Sequence, residues 1–259
     1  MPYVVVQQEL SPPDKARYVQ ALTNAQVFTR PDVTIMGRHL SPILARNLPL
    51  PSAQAIEAAL AGEGIASTVV EQSLVLPPPP RQRTMRMEIS PDGLLILDAT
   101  GQKSMLPWPA VIVIACGVVM KNEEQTEKIP LSDTLDPDSI TRPGGKTLGR
   151  YTIAPYMYFD KHVDRQVTLL EVATQLERYQ LIQDEASYDS GDQPVGRNAR
   201  ESFLILVRQI RAMATSAWIN SGAAGLLQEP PQDVTYQNDR LFDDELAWLR
   251  WKAVQELAG

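Results

Sequence analysis

The stretch Pro77-Pro78-Pro79-Pro80-Arg81-Gln82-Arg83 decides how the rest of the sequence is divided. Proline lacks the backbone N–H and has a locked φ, so four in a row exclude a helix interior and a central strand. They favour an extended polyproline II rod with a solvated backbone. Hydrophobic patterning differs on the two sides of this seam. The sequence therefore reads as two folding units, residues 1–76 and 84–259, joined over 77–83 by a polyproline linker that acts as a semi-rigid hinge.

The chain before the seam alternates strand and helix signals. Tyr3-Val4-Val5-Val6 is a β-branched run. Ser11-Pro12-Pro13-Asp14 opens a helix, with Ser11 able to cap and Asp14 suited to the positive end of the dipole. Ala16, Val19, Leu22 and Ala25 then follow at helical spacing. Thr29 to Arg38 is open: Pro31 suits a short helix, and Val33-Thr34-Ile35-Met36 suits a strand. Ile43 to Leu48 reads as a strand and Ile65 to Val70 as its return. Between them lies a helix capped by Ser52 and closed by Gly62 or Gly64.

After the seam the pattern changes to hairpins. Thr84 to Ile89 alternates, Ser90-Pro91-Asp92-Gly93 matches a type I turn, and Leu94 to Asp98 returns. A second turn at Thr100-Gly101 leads to Met105-Leu106-Pro107-Trp108, and Val111 to Val119 reads as a buried strand. Residues 121–150 read as a long loop, and Tyr151 to Phe159 as an aromatic strand. Val167 to Asp184 suits either one helix or two strands, and strands are preferred because they extend the sheet. Asn198-Ala199-Arg200-Glu201 is a capping-box pattern before the wide apolar face of Phe203 to Ala214. A last helix begins near Asp239 to Asp244, with Phe242, Leu246, Leu249, Ala253 and Leu257 as its stripe. Trp248 and Trp251 flank that stripe.

Several resemblances follow from these residues. The strand–helix order of residues 1–76 resembles a ferredoxin-like α/β module, and Ile43 to Val70 resembles the strand–helix–strand regulatory modules of bacterial proteins. Residues 84–120 are similar to bacterial PH-like domains, at Leu106, Pro107, Trp108, Val111 and Ile114. As a whole the chain resembles a group of uncharacterised bacterial proteins with this organisation. The resemblance implies an α+β protein: a ferredoxin-like module, then a PH-like β-barrel or sheet with two C-terminal helices.

Composition narrows the function classes. The 259 residues are 44% hydrophobic and 21% charged, enough to build real cores. A net charge of -7 argues against nucleic acid or an anionic membrane as partner, since both call for a basic face. The single cysteine, Cys116, lies in an apolar run and reads as an inert buried thiol in a reducing compartment. The N-terminus lacks a basic, apolar leader pattern, and the apolar run Pro109 to Met120 is shorter than the ~20 residues a spanning helix needs. The expectation is a soluble cytoplasmic protein.

No stretch meets the requirements of a catalytic motif. Gly144-Gly145-Lys146-Thr147 ends like a phosphate-binding loop, but Ile140 stands where the first glycine belongs. Asp160, His162 and Asp164 offer two carboxylates and an imidazole, without a second ligand pair nearby. His39 and His162 lack a Gly-x-Ser-x-Gly elbow to serve. Asp136-Pro137-Asp138 and Asp243-Asp244-Glu245 read as turn and helix-start acids rather than an acid–base pair. Pro77 to Pro80 could serve an aromatic groove as ligand, but the linker reading is preferred.

No catalytic, cofactor-binding or metal residue is assigned. The expectation is a non-enzymatic protein-interaction or scaffold module with a protein partner, and a second copy joined through the C-terminal helix as a further option. The alternatives are a hydrolase-like enzyme using Asp160, His162 and Asp164, and a peripheral lipid-binding PH-like protein.

Overall fold

The computed structural model describes residues 1–130, 156–188 and 196–258. It is mixed α+β, with six α-helices and two sheets among the described residues. The chain forms two compact units: Met1–Met120 with Val167–Gly259, and Lys121–Gln166.

The first unit opens with β1 (Tyr3–Gln7), α1 (Lys15–Ala25), α2 (Arg30–Met36), β2 (Ile43–Leu48), α3 (Leu50–Gly62) and β3 (Ser67–Glu71). The three strands pair in the order β2-β1-β3, both pairings antiparallel. A ferredoxin-like unit runs β-α-β-β-α-β, whereas the order here is β-α-α-β-α-β. The open question at Thr29 resolves as helix, because Thr29 and Asp32 form a reciprocal capping box.

Two details of the sequence reading change. The cap of α1 is Asp14, which accepts from the Arg17 N–H at 2.9 Å, not Ser11. Its buried face is Tyr18, Ala21 and Leu22, with Val19 and Ala25 half-buried against the same core and Ala16 exposed, so most of the expected stripe is formed; the Tyr18 hydroxyl donates to the Leu44 carbonyl at 2.7 Å. Helix α3 begins at Leu50 after Pro49, without the expected Ser52 cap. Prolines preset the φ of a first turn, so that start needs no side-chain acceptor.

The larger sheet contains β4 (Arg81–Ser90), β5 (Gly93–Asp98), β6 (Lys103–Pro107), β7 (Val113–Pro130), β8 (Tyr156–Ala173) and β9 (Arg178–Ile182). The short strands β10 (Trp218–Ile219) and β11 (Thr235–Tyr236) both pair with β7 in parallel. The order is β10-β7-β8-β9-β4-β5-β6, an open path rather than a closed barrel among the described residues. The β4–β5 turn falls at Ser90–Gly93, where a Cβ on Gly93 would overlap the Leu106 carbonyl of β6. Of the two options for Val167 to Asp184, strands are formed. Leu106, Trp108, Val111 and Ile114 enter one core, while Pro107 stays exposed.

Helices α4 (Ala199–Met213), α5 (Ser221–Leu226) and α6 (Asp239–Ala258) complete the chain. Asn198 caps α4 by accepting from the Glu201 N–H at 2.9 Å, as the sequence implies. Three helices thus follow the sheet rather than two.

Strand alternation explains how these parts stack. Val5 of β1 joins the core under α1 and α3, while Val4 and Val6 point the other way, into a core with α6. In β7, Val113 and Ala115 face that same α6 core, while Ile114 and Cys116 face α4 and α5. Helix α6 therefore lies between the two sheets. That is why it is buried nearly all round, with Phe242, Leu246, Leu249 and Trp248 at most 1% exposed. The expected picture of one stripe with flanking tryptophans is corrected accordingly. Trp248 donates its indole N–H to the Gln7 carbonyl at 2.6 Å and meets Trp218 edge-on, with ring centroids 6.3 Å apart.

These contacts cross the proline seam, so the seam is not a hinge. Val75 is buried in the α6 core, and the Arg250 guanidinium of α6 donates to the Pro77 carbonyl at 3.1 Å. Arg81 is the first residue of β4 rather than part of a solvated linker.

Trp248→Ala removes a large side chain from the layer between the sheets. It is expected to cost about 3–5 kcal/mol in urea unfolding, while the transition remains a single one. Cys116 is fully buried, and burial pushes its thiol pKa up. Thiol labelling at pH 8 is therefore expected to be negligible in native protein and complete in denaturant. Rapid native labelling would place Cys116 outside the core.

Candidate functional site

Three consecutive carboxylates on α6 organise the interior. Successive residues on a helix are turned by ~100°, so Asp243, Asp244 and Glu245 point in three directions. Each meets a different part of the chain. The sequence pattern suggests helix-start acids, but the cap of α6 is Asn238, which accepts from the Leu241 N–H at 3.0 Å. The triplet lies beyond the first turn and serves packing contacts instead.

Asp243 faces the large sheet. Its Oδ1 accepts from Arg81 Nη2 at 2.7 Å and from Arg178 Nη2 at 2.6 Å. Strand pairing places Arg81 opposite Arg178 and Glu171 opposite Gln180. Glu171, wholly buried, accepts from Arg81 Nε at 2.9 Å, from Gln180 Nε2 at 2.8 Å and from Arg178 Nε. Asp239 meets Arg81 at 2.6 Å. Burial works against the Arg81 charge, but the Glu171, Asp243 and Asp239 carboxylates outweigh it and raise its pKa. For Arg250 nearby, burial and then the Arg178 charge act together to lower it.

Asp244 faces the small sheet. It accepts from Arg46 Nη2 of β2 at 2.6 Å and from the Ser41 hydroxyl at 3.3 Å. Glu245 faces α5. Its Oε1 accepts from the Ser221 N–H at 2.7 Å and the Ser221 hydroxyl at 2.6 Å, and its Oε2 accepts from the Tyr236 hydroxyl. Asn220, with no exposed surface, donates to Tyr236 Oη at 2.9 Å and exchanges two hydrogen bonds with the Cys116 backbone at 2.8 Å. Gly222 makes this approach possible, since a Cβ there would overlap the Cys116 carbonyl.

Two clefts border two of these acids, Glu245 and Asp244. One, of about 500 Å³, has apolar walls from Leu10, Leu40, Val234 and Leu241, with Ser221, Tyr236 and Glu245 also in its lining. The other, of about 510 Å³, is walled by Phe28, Ile35 and Met36, with Arg46 and Asp244 in its lining. Ser41 and Leu241 belong to both. The acids in the linings are already hydrogen-bonded, whereas Lys15 and Arg38 of the first cleft are exposed and meet no carboxylate among the described residues. The free charge of the clefts is therefore basic on a chain of net charge -7.

Of the residues weighed from sequence, His39 lies exposed on the second cleft. Asp164 is exposed in β8 of the second unit. The side chains of Asp160 and His162, the Gly144 to Thr147 segment and the Asp136 to Asp138 segment lie outside the described residues. Among the described residues no cluster of three His, Cys, Asp or Glu is arranged for a metal, and no helix is long and apolar enough to cross a membrane. Ser221, Tyr236, Lys15 and Arg38 were missed, because each is an ordinary polar residue whose neighbours come from distant sequence. The only local signal was the acid triplet itself.

No family model matches the chain, and neither a curated protein nor a solved structure shows significant similarity to it.

The Tyr236 network has a pH signature. Burial, then the Glu245 charge and its hydrogen bond, raise the Tyr236 pKa above its ordinary value. Burial also raises Tyr18. An unfolded tyrosine loses its proton near pH 10, before the folded one does. The stability these groups contribute is thus fully present below about pH 10 and lost as pH rises beyond it. Tyr236→Phe is expected to cost about 1–3 kcal/mol at pH 8 by leaving Glu245 short of a donor. It should also make the alkaline decline shallower in urea unfolding at pH 8, 10 and 10.5. An unchanged alkaline slope would contradict the assignment.

Proposed function

We propose that this protein is a non-enzymatic interaction module, a small α/β unit joined to a PH-like sheet unit, that takes a segment of a protein partner in the paired clefts. The observation that carries this reading is the division of charge at the clefts. The carboxylates lining them are engaged in internal hydrogen bonds, while Lys15 and Arg38 meet no carboxylate among the described residues. A serine nucleophile at Ser221 would need a base free to take its proton and to give it up again. Glu245 instead holds the N–H and hydroxyl of Ser221 together with Tyr236, which locks α5 to α6. Apolar walls with a basic rim suit an apolar segment carrying acidic residues, since complementary charge favours encounter and register. The buried single thiol suits a reducing compartment such as the cytoplasm.

Selection from a displayed peptide library against the full chain tests this reading. Peptides that pair apolar with acidic residues are expected to be enriched. Their affinity should fall roughly tenfold or more in the Lys15→Glu/Arg38→Glu variant, about 1.4 kcal/mol. Enrichment of basic peptides, or binding indifferent to that variant, would contradict it. So would a hydrolytic activity abolished by Ser221→Ala.

A further inference from the structure

The proline run has properties a linker does not require. Residues 76–80 are neither helix nor strand, and both ends are fixed. On one side Val75 is 1% exposed in the α6 core, and on the other Arg81 opens β4 inside the buried ion cluster. Between them Arg250 holds the Pro77 carbonyl at 3.1 Å and, through its other terminal nitrogen, the Gln175 carbonyl at 2.6 Å. The stretch is thus an ordered ridge on a folded body.

Its exposure follows the period of a polyproline helix. Pro77 and Pro80 are exposed, whereas Pro78 and Pro79 are half-buried. With three residues per turn, positions 77 and 80 lie on one face and the two between them lean on the protein. Leu76, 60% exposed, immediately precedes the run, and Leu176, 84% exposed, follows the second carbonyl that Arg250 holds. Leucine side chains left in water beside a presented Pro-x-x-Pro face are unexplained by the fold.

We propose that Pro77–Pro80 is a preformed docking ridge for a partner domain with an aromatic-lined polyproline groove. Proline offers no N–H, so recognition rests on ring faces against aromatic side chains and on shape. Much of the ordering entropy that a free proline-rich peptide loses on binding is already lost here, because Val75, Arg81 and Arg250 hold the ridge in place. This surface is separate from the paired clefts and needs no residue of theirs.

The test titrates isotope-labelled SH3 and WW domains, two aromatic-groove folds, with the unlabelled full-length chain. At least one is expected to show saturable shifts in its groove aromatics. Pro77→Ala/Pro80→Ala, both at exposed positions, should weaken binding at least tenfold with an unchanged melting temperature, while Lys15→Glu/Arg38→Glu should bind as wild type. Should the double alanine variant lower the melting temperature, Pro77→Ser alone must still weaken binding. Absence of shifts with both domains, or binding indifferent to the proline substitutions, would overturn the proposal. Loss of binding only in the cleft variant would also overturn it, by assigning the contact to the clefts.

Discussion

A helix enclosed between two sheets that carries three adjacent carboxylates sets the terms for the rest of this structure. Removing a carboxylate from water costs several kcal/mol unless charge and hydrogen bonds replace the lost solvent. Asp243, Asp244 and Glu245 cannot share one partner, because the helix turns them apart. The solution is one partner per part of the fold: Arg81 and Arg178 from the large sheet, Arg46 from the small sheet, and Tyr236 with Ser221 from the α5 region. These contacts fix the register of α6 against its neighbours as well as neutralising charge. The apolar residues of α6 supply the burial, and the acids specify where each face must lie.

The clefts are a by-product of the same arrangement. They open where the α1–β2 region meets the loop around β11 and the start of α6, and the acids that border them are already engaged. What remains free at the rim is basic. Binding and folding are thereby separated: Lys15 and Arg38 are exposed and meet no carboxylate among the described residues, whereas Asp244 and Glu245 hold the parts together.

Much of the local structure was legible from sequence. Asn198 announced α4, Ser90-Pro91-Asp92-Gly93 announced the first hairpin, and the apolar run at Val111 announced the buried first part of β7, because these signals are local and each has a direct physical cause; the continuation of β7 to Pro130, through residues whose charge suits a loop, was not legible. The prolines break regular structure, as their chemistry dictates, but nothing local shows that they are held in place, since their restraints come from far away. Arg81 finds Glu171 across 90 residues and Asp243 across 162. The same distance hid the site. Glu245 looked like a capping acid because the sequence shows neighbours along the chain, and its partners Ser221 and Tyr236 are brought to it only by folding. The all-round burial of α6 was likewise invisible, because Trp248 and Trp251 beside a leucine stripe suit a helix covered on one side equally well.

The central claim is that residues on both sides of the prolines fold as one body through α6. Native-state hydrogen exchange tests it most directly, because amide protection reports which elements open together. Amides of β1, β7 and α6 are expected to exchange through a common global opening, with free energies within about 1 kcal/mol of one another. Exchange of β1, β2 and β3 by a lower-energy opening that leaves α6 and the large sheet protected would contradict it.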